Sequence, residues 1–396
     1  MKRLLSLVAL FALFITPVAH SAPKKITVKP MQLLAAIGAP EEVSGAVVSG
    51  KTIVVFGTKS SKAYARGIDV TGRELWNLSL DQSAASIATA ATVDSSGDIW
   101  IVGATPLAMG LIPPSPSPTP LNPDNAVIPS SAFVSDLHAI TMWKVSGTGT
   151  LIFTNTLPTS YVVFPTAISI DKTGASIVGI MATEKGNAGF LTNADLTGVF
   201  SKLLQIGVSA TTAETVVRHS DGTFTVAGSS AETLAGKKVV GVTDGVLLKI
   251  SKLLKITNVV RSSAVKAKRV WNSANNSLLL AGEVNTSGKM ESAITKFSIN
   301  YVPTWTYRFP STGMAAVGSL NQALFISSGM IAQLNWSPKV PTPLLLTFDS
   351  KGNIISADSG SAGQGEVLSV LNSKEIGVLA LTSSAESVSI FTPNSR

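Results

Sequence analysis

Three glutamates and one lysine recur near the start of repeated strand–turn–strand segments, and they are the residues best placed to do chemistry. Counting eight residues back from the turn of each segment gives Glu42, Glu214, Lys268 and Glu366, with Thr89, Thr166 and Met314 at the same position elsewhere. Carboxylates that converge on a narrow opening can bind a cation or a polar ligand, and crowding there can raise the pKa of one of them. The alternative is that they are ordinary solvated residues at a water-filled opening.

The elements that would position these residues are β-hairpins that recur about every fifty residues. Each has an apolar strand, a turn containing Gly, Asp or Asn, and a second strand rich in Ile, Val and Leu. The hairpins fall at 43–57, 88–103, 166–179, 214–228, 268–282, 314–328 and 366–381. More polar strand pairs follow at 64–78, 140–153, 189–201, 246–256, 294–307 and 344–355. Each complete unit therefore supplies four strands.

Four-stranded units in regular succession predict an all-β fold, and specifically a seven-bladed β-propeller. The seventh unit has a third strand at 386–393 but no fourth strand after it. We expect residues 26–34 to supply that strand, so that pairing of the N- and C-terminal strands closes the ring. Closure would remove the exposed sheet edges that invite aggregation.

Several motifs share one strand–turn–strand form: TVDSSGDIWIVG at 92–103, SIDKTGASIVG at 169–179 and RHSDGTFTVAG at 218–228. Two further stretches, DGVLLKISK at 244–252 and LLLTFDSKGNI at 344–354, have the form of the second half of such a unit. Together they resemble the repeats of secreted bacterial β-propeller proteins of the SBBP and NHL type. The resemblance implies a propeller fold and an interaction role. It transfers no catalytic residue, because that repeat family has no shared active site.

The first 21 residues have the form of a secretory signal peptide. Met1, Lys2 and Arg3 give a positive start, residues 4–15 are apolar, and a small-x-small site predicts cleavage near Ser21. We therefore expect a secreted protein, extracellular or in the cell envelope, without a membrane span. Residues 22–396 are predicted to form a single propeller domain. A loop at 104–137 with eight prolines interrupts it, since such a stretch cannot join a sheet.

Composition narrows the possible chemistry. The 396 residues include no cysteine, which excludes disulfides, zinc–thiolate sites and a cysteine nucleophile. Only His138 and His219 lie beyond the signal peptide, too few for a multi-histidine metal site. The sequence contains no G-x-S-x-G, P-loop or H-E-x-x-H motif. We predict no metal and no cofactor.

Two further sets of residues have both a functional and a structural interpretation. Asp94, Asp171, Asp221 and Asp349 recur beside glycine, as in a calcium loop, but the late bidentate glutamate of such a loop is missing. We interpret them as turn residues. The recurring tryptophans 76, 100, 143, 271 and 305 could form a sugar-stacking platform, but their apolar neighbours favour packing between units.

Positive charge is concentrated in one segment. The chain has a formal net charge of +8, and residues 231–270 hold nine basic residues against two acidic ones. Such a segment can attract an anionic partner by its long-range field, although a lysine run is also typical of a merely solvated surface. The candidate patch for an anionic partner is Lys249, Lys252, Lys255, Arg261, Lys266 and Arg269.

These features favour a secreted, non-enzymatic protein that binds a macromolecule, for example an anionic polymer, at the cell envelope or outside the cell. Nucleic acid is not the expected anion, because the basic segment lacks the interleaved aromatic residues of a stacking platform. The alternative from another class is an exported hydrolase or lyase that uses carboxylates at the mouth of the ring. A third is a structural module of a larger envelope assembly.

Overall fold

The computed structural model describes residues 26–81, 85–107 and 136–394, which consist mainly of β-strands. The predicted all-β class is confirmed. Within these ranges the one helical segment is a 3-10 turn, Ala332–Leu334, and no helix is long and apolar enough to cross a membrane. The predicted signal peptide at 1–21 and nearly all of the predicted proline-rich loop at 104–137 lie outside the described residues.

The described chain begins with strand β1 (Lys29–Ala36), which belongs to the last sheet, and continues with four separate sheets. Each contains four antiparallel strands in chain order. The first two sheets are β2 (Val43–Ser49), β3 (Thr52–Lys59), β4 (Lys62–Ile68), β5 (Glu74–Ser79) and β6 (Ile87–Val93), β7 (Ile99–Thr105), β8 (Ala139–Val145), β9 (Leu151–Pro158). The next two are β10 (Val162–Asp171), β11 (Gly174–Thr183), β12 (Gly186–Ala194), β13 (Leu204–Ile206) and β14 (Thr211–Arg218), β15 (Phe224–Ser230), β16 (Asp244–Ile250), β17 (Ile256–Ser262).

The fifth sheet has eleven strands. Its further members are β18 (Ala267–Ala274), β19 (Leu279–Thr286), β20 (Lys289–Phe297), β21 (Pro303–Gly318), β22 (Gln322–Ser327), β23 (Thr342–Phe348), β24 (Ile354–Ser359), β25 (Glu366–Ser373), β26 (Gly377–Ser383) and β27 (Val388–Pro393). Their spatial order is β18-β19-β20-β21-β22-β23-β24-β1-β27-β26-β25. The hairpins predicted from the sequence are therefore present, but the last three are joined in one sheet.

The prediction of a closed seven-bladed propeller is wrong, because the last part of the chain forms this single curled sheet and not three separate ones. One cause is β21, which is continuous over sixteen residues and pairs with β20 by its first half and with β22 by its second. The other cause is β1. It pairs antiparallel with β27, as predicted for residues 26–34 and 386–393, but it also pairs in parallel with β24, at Lys29↔Asp358 and Pro30↔Ser359. The terminal strand thus joins two parts of a sheet and does not complete a separate one.

The core lies between successive sheets and, in the fifth sheet, between parts of the same curled sheet, where apolar faces pack together. Between the first and second sheets, for example, Val54 and Phe56 pack with Ile101 and Trp143. The initial strands β2, β6, β10, β14, β18, β21 and β25 contact one another in this order, and β25 also contacts β2.

Antiparallel pairing divides the connections between two ends of the sheets. The connections that join first to second and third to fourth strands lie at one end, which we call the turn end. The connections between second and third strands and between sheets lie at the opposite end, the connection end. Any surface built from loops belongs to one end or the other.

Candidate functional site

The predicted strand-start residues fall at or near a β-bulge in each initial strand. Glu214 lies in the bulge between Ala213 and Thr215 of β14, and Thr89 and Thr166 occupy the same position in β6 and β10. Lys268 is four residues away from the bulge of β18, because that bulge lies closer to its turn than the bulge of β14 does. Counting eight residues back from the turn therefore reaches the bulge in β6, β10 and β14 but not in β18.

The four predicted ligand-binding residues make separate contacts in the structure. Glu42 forms an ion pair with Lys59, with 3.2 Å between Oε2 and Nζ, and it lines a different cavity from Glu366. Lys268 is exposed at the start of β18. Among the described residues no hydrogen bond or ion pair links any two of the four.

Glu214 is a half-buried carboxylate with no ion-pair partner among the residues that the structure describes. Burial raises its pKa, and a hydrogen bond from the Thr212 hydroxyl opposes that rise only in part. The cause of the raised pKa is therefore burial and not crowding by other carboxylates.

A second carboxylate with a raised pKa, Glu283, was not predicted from the sequence. Glu283 on β19 shares a cavity of about 450 Å³ with Glu366, and the cavity is also lined by Thr312 and Met314. Burial raises the pKa of Glu283. The sequence does distinguish this residue. Glu283 follows the glycine of its second strand, whereas the apolar residues Ala104 and Ile180 occupy that position in other sheets.

The predicted anionic-partner patch is divided between opposite ends of the fourth sheet. Lys249 is the penultimate residue of β16, and Lys252 and Lys255 lie on the following turn. Lys266 lies at the connection end, after β17. A seven-residue strand spans about 20 Å at about 3.3 Å per residue, so the chain folds one basic segment into two surfaces.

Neither arginine of the predicted patch is fully exposed to a partner. The Arg261 side chain is 7% exposed and forms an ion pair with fully buried Asp244, at 3.1 Å. Arg269 lies over the Trp271 ring at 4.1 Å from its centroid. Burial, followed by the charge of Arg308, lowers the pKa of Arg269 to about 10. Both arginines are therefore part of the framework.

A different basic surface is present at the connection end. The connection between β15 and β16 exposes Lys237, Lys238 and Val240, and the connection after β17 exposes Val265 and Lys266. Val240 is 61% and Val265 73% exposed. With exposed Val242 and Lys268 they form what we call the lysine–valine surface: Lys237, Lys238, Val240, Val242, Val265, Lys266 and Lys268. Contiguous exposed apolar groups next to charges are typical of binding surfaces.

The two connections are held against each other by the backbone. The amide of Val242 donates to the carbonyl of Ala267 at 2.8 Å, and that of Arg269 donates to Thr243 at 2.9 Å. Thr243 also forms a parallel bridge with Lys268. The lysine–valine surface is therefore one continuous structure.

The buried side chains of Arg261 and Asp244 hold the connection between β15 and β16 in place. Arg261 donates from Nε to the carbonyl of Lys237 at 3.2 Å, and from its terminal nitrogens to the carbonyls of Ser230 and Glu232. Asp244 accepts the amides of Val240 at 3.0 Å and Gly241 at 2.8 Å. Burial alone would raise the pKa of Asp244, but hydrogen bonds from Ser263, these amides and Arg261 together lower it. The charged pair thus holds a loop that no regular strand supports.

Glu232, the other acidic residue of this region, is also held by the framework. Oε1 of Glu232 accepts the amide of Val208 at 2.9 Å and the hydroxyl of Thr211 at 2.6 Å. Burial would raise its pKa, but these hydrogen bonds lower it, so Glu232 stays ionised. Within the described residues none of the four lysines of the lysine–valine surface forms an ion pair.

The recurring aspartates are turn residues, as predicted. Asp94, Asp171, Asp221 and Asp349 each accept the amide of the residue two positions later, at 2.7–2.9 Å. These bonds close the tight turns at the turn end. Among the described residues no group of three or more His, Asp or Glu side chains is placed to hold a metal ion.

The tryptophans are packing residues, as predicted. Trp100, Trp143 and Trp271 are fully buried in the layers between sheets. Trp76 and Trp305 are partly buried and pack on the same cores.

Comparisons with known proteins identify no family. No family model matches the sequence, and no curated protein matches it. A solved structure described as "Structure of YjhT" superposes with a TM-score of 0.42 and 11% sequence identity, over 82% of this chain and 99% of that chain.

Proposed function

We propose that this protein is a non-enzymatic binding protein whose lysine–valine surface holds an anionic macromolecule outside the cell or at the cell envelope. The observation that carries the proposal is a preformed loop pair on which exposed lysines and valines lie side by side. Lysines attract a polyanion through their field, and exposed valines gain free energy when the partner covers them. The signal peptide predicted at 1–21 and the motifs that resemble those of secreted repeat proteins support the same location.

The rigidity of this surface supports binding over a passive solubilising role. Lysines that only keep a protein soluble need no fixed backbone beneath them. Here a buried ion pair, Arg261–Asp244, holds the loop that carries Lys237 and Lys238. A loop fixed before binding loses less conformational entropy when it binds.

The test is retention on immobilised dextran sulfate as NaCl is increased. Lys237→Glu/Lys238→Glu should elute at a clearly lower salt concentration than the unmodified protein, because charge attraction is screened by salt. Lys252→Glu/Lys255→Glu at the turn end has the same net charge change and should have a much smaller effect. Equal losses in the two double variants would mean that net charge, and not this surface, governs binding. No retention of the unmodified protein at low salt would refute the proposal.

A second candidate function, an exported hydrolase or lyase, is favoured by the cavity that Glu283 and Glu366 share. A carboxyl with a raised pKa beside a second carboxyl is the arrangement that acid–base catalysis uses. Glu283→Gln and Glu366→Gln should each abolish hydrolysis of nitrophenyl glycosides if this function is correct. Failure of the unmodified protein to turn over these substrates would argue against glycoside hydrolysis.

A further inference from the structure

A cavity of about 480 Å³ lies beside the first sheet, between β4, β5 and the segment that leads from β1 to β2. Tyr64 and Arg66 on β4 pair with Ser79 and Asn77 on β5, respectively. Directly opposite residues of an antiparallel pair point to the same side of the sheet, so these four side chains form one polar wall.

Arg66 is fixed in this wall. Its Nη2 donates to the carbonyl of Ile37 at 2.6 Å, and its Nη1 lies 3.7 Å from Oε2 of Glu74. Tyr64 is buried beside it, and burial raises the pKa of the Tyr64 hydroxyl although the charge of Arg66 opposes the rise. The back of the cavity is therefore ordered before any ligand arrives.

The charges at the rim already have partners. Glu42 pairs with Lys59 at 3.2 Å, and Glu74 accepts a hydrogen bond from Nδ2 of Asn77 at 3.4 Å. A charged ligand would have to compete with these contacts. A neutral ligand that both donates and accepts hydrogen bonds can use the remaining lone pairs and N–H groups without breaking a charge pair.

We propose that this cavity binds an uncharged polyhydroxylated ligand, of the size and chemistry of a mono- or disaccharide. Hydroxyl groups would donate to the carboxylates of Glu42 and Glu74 and accept from Arg66 and Asn77. The volume lies in the range of about 300–1,000 Å³ that is typical of small-molecule sites. The site belongs to the first sheet, so it does not depend on the lysine–valine surface of the fourth and fifth sheets.

Saturation-transfer NMR with glucose, galactose, mannose and N-acetylglucosamine tests the proposal, with titration calorimetry for the strongest binder. Asn77→Ala and Glu42→Gln should each weaken that binding at least fivefold. Asn258→Ala, an exposed asparagine on the outer strand β17, should leave it unchanged. Circular dichroism establishes that each variant is folded, and Glu42→Gln at the rim decides the outcome if Asn77→Ala does not fold.

Three results would overturn the proposal. These are failure of all four sugars to bind, binding that neither cavity variant weakens, and stronger binding of glucuronate or glycine than of the neutral sugars. Dextran sulfate binding is scored separately in the same variants and should not change, so failure here is distinguishable from failure of the lysine–valine surface.

Discussion

The indole ring of Trp76 in the first sheet lies against Gly149, in a turn of the second sheet. A Cβ added to Gly149 would lie 2.5 Å from Cδ2 of Trp76. The same contact recurs between Phe153 and Gly198, and between Trp305 and Gly352. Each glycine has φ between +84° and +90°. Trp76 and Phe153 thus each rest on a turn of the next sheet and link neighbouring sheets, whereas Trp305 and Gly352 belong to the same fifth sheet.

Gly149→Ala should therefore destabilise the protein for two reasons. The alanine methyl group would overlap Trp76, and overpacking of this kind costs about 1–3 kcal/mol. The positive φ adds its own cost. Gly288→Ala is the control, because Gly288 has φ of +84° with open space around it. Thermal unfolding should show a larger loss for Gly149→Ala, and equal losses would show that only the backbone conformation matters.

Asp244→Ala should destabilise the protein by about 3–5 kcal/mol, the usual cost of leaving one buried partner of an ion pair without the other. Arg261 would remain in the interior with carbonyl partners only. Urea unfolding measures the loss. Asp349→Ala, which removes an exposed turn residue, should cost much less. A comparable loss in both variants would contradict a special role for the buried pair.

Glu214→Gln should stabilise the protein at pH 7 and have little effect at pH 4. The ordinary pKa is 4.5 and the folded-state pKa is higher. As the pH rises above 4.5, the unfolded chain releases its proton before the folded protein does, so the wild type loses stability. Glutamine avoids that loss. Melting temperatures at the two pH values test this, with the exposed Glu386→Gln as control. A variant that is less stable than wild type at pH 7 would contradict the prediction.

Deletion of residues 22–36 should lower the stability by more than the about 2–5 kcal/mol of a single core truncation. It removes all of β1, which pairs with β24 and β27, and it removes Met31 from a core that includes Leu345 and Phe391. Deletion of residues 22–25 alone is the control. If the two truncated proteins melt at the same temperature, β1 is not needed to hold the fifth sheet together.

The sequence predicts the local structure of this protein well, because hairpins and turns depend on neighbouring residues. Asp94 and Gly97 specify a tight turn whatever the rest of the chain does. The parallel pairing of β1 with β24 has no such local signal, since Lys29 and Asp358 are brought together only by the whole fold. Because this pairing has no local sequence signal, the joining of the last three hairpin units into one sheet could not be predicted.

The candidate site shows the same limit. A basic segment such as 231–270 is continuous in sequence, yet β16 carries Lys249 to the opposite end of the sheet from Lys237. Burial of Arg261 depends on Asp244, seventeen residues away. The excess of basic residues identifies the segment 231–270, but which of its side chains face solvent depends on the packing of the folded chain.

The double pairing of β1 also fixes an order of events during synthesis. A ribosome makes Lys29–Ala36 near the beginning and β24 and β27 near the end. At about 5–20 residues per second, this strand waits roughly 20–70 s for its partners. The fifth sheet cannot be completed on a partial chain, so any nascent chain that is released early carries an unpaired strand.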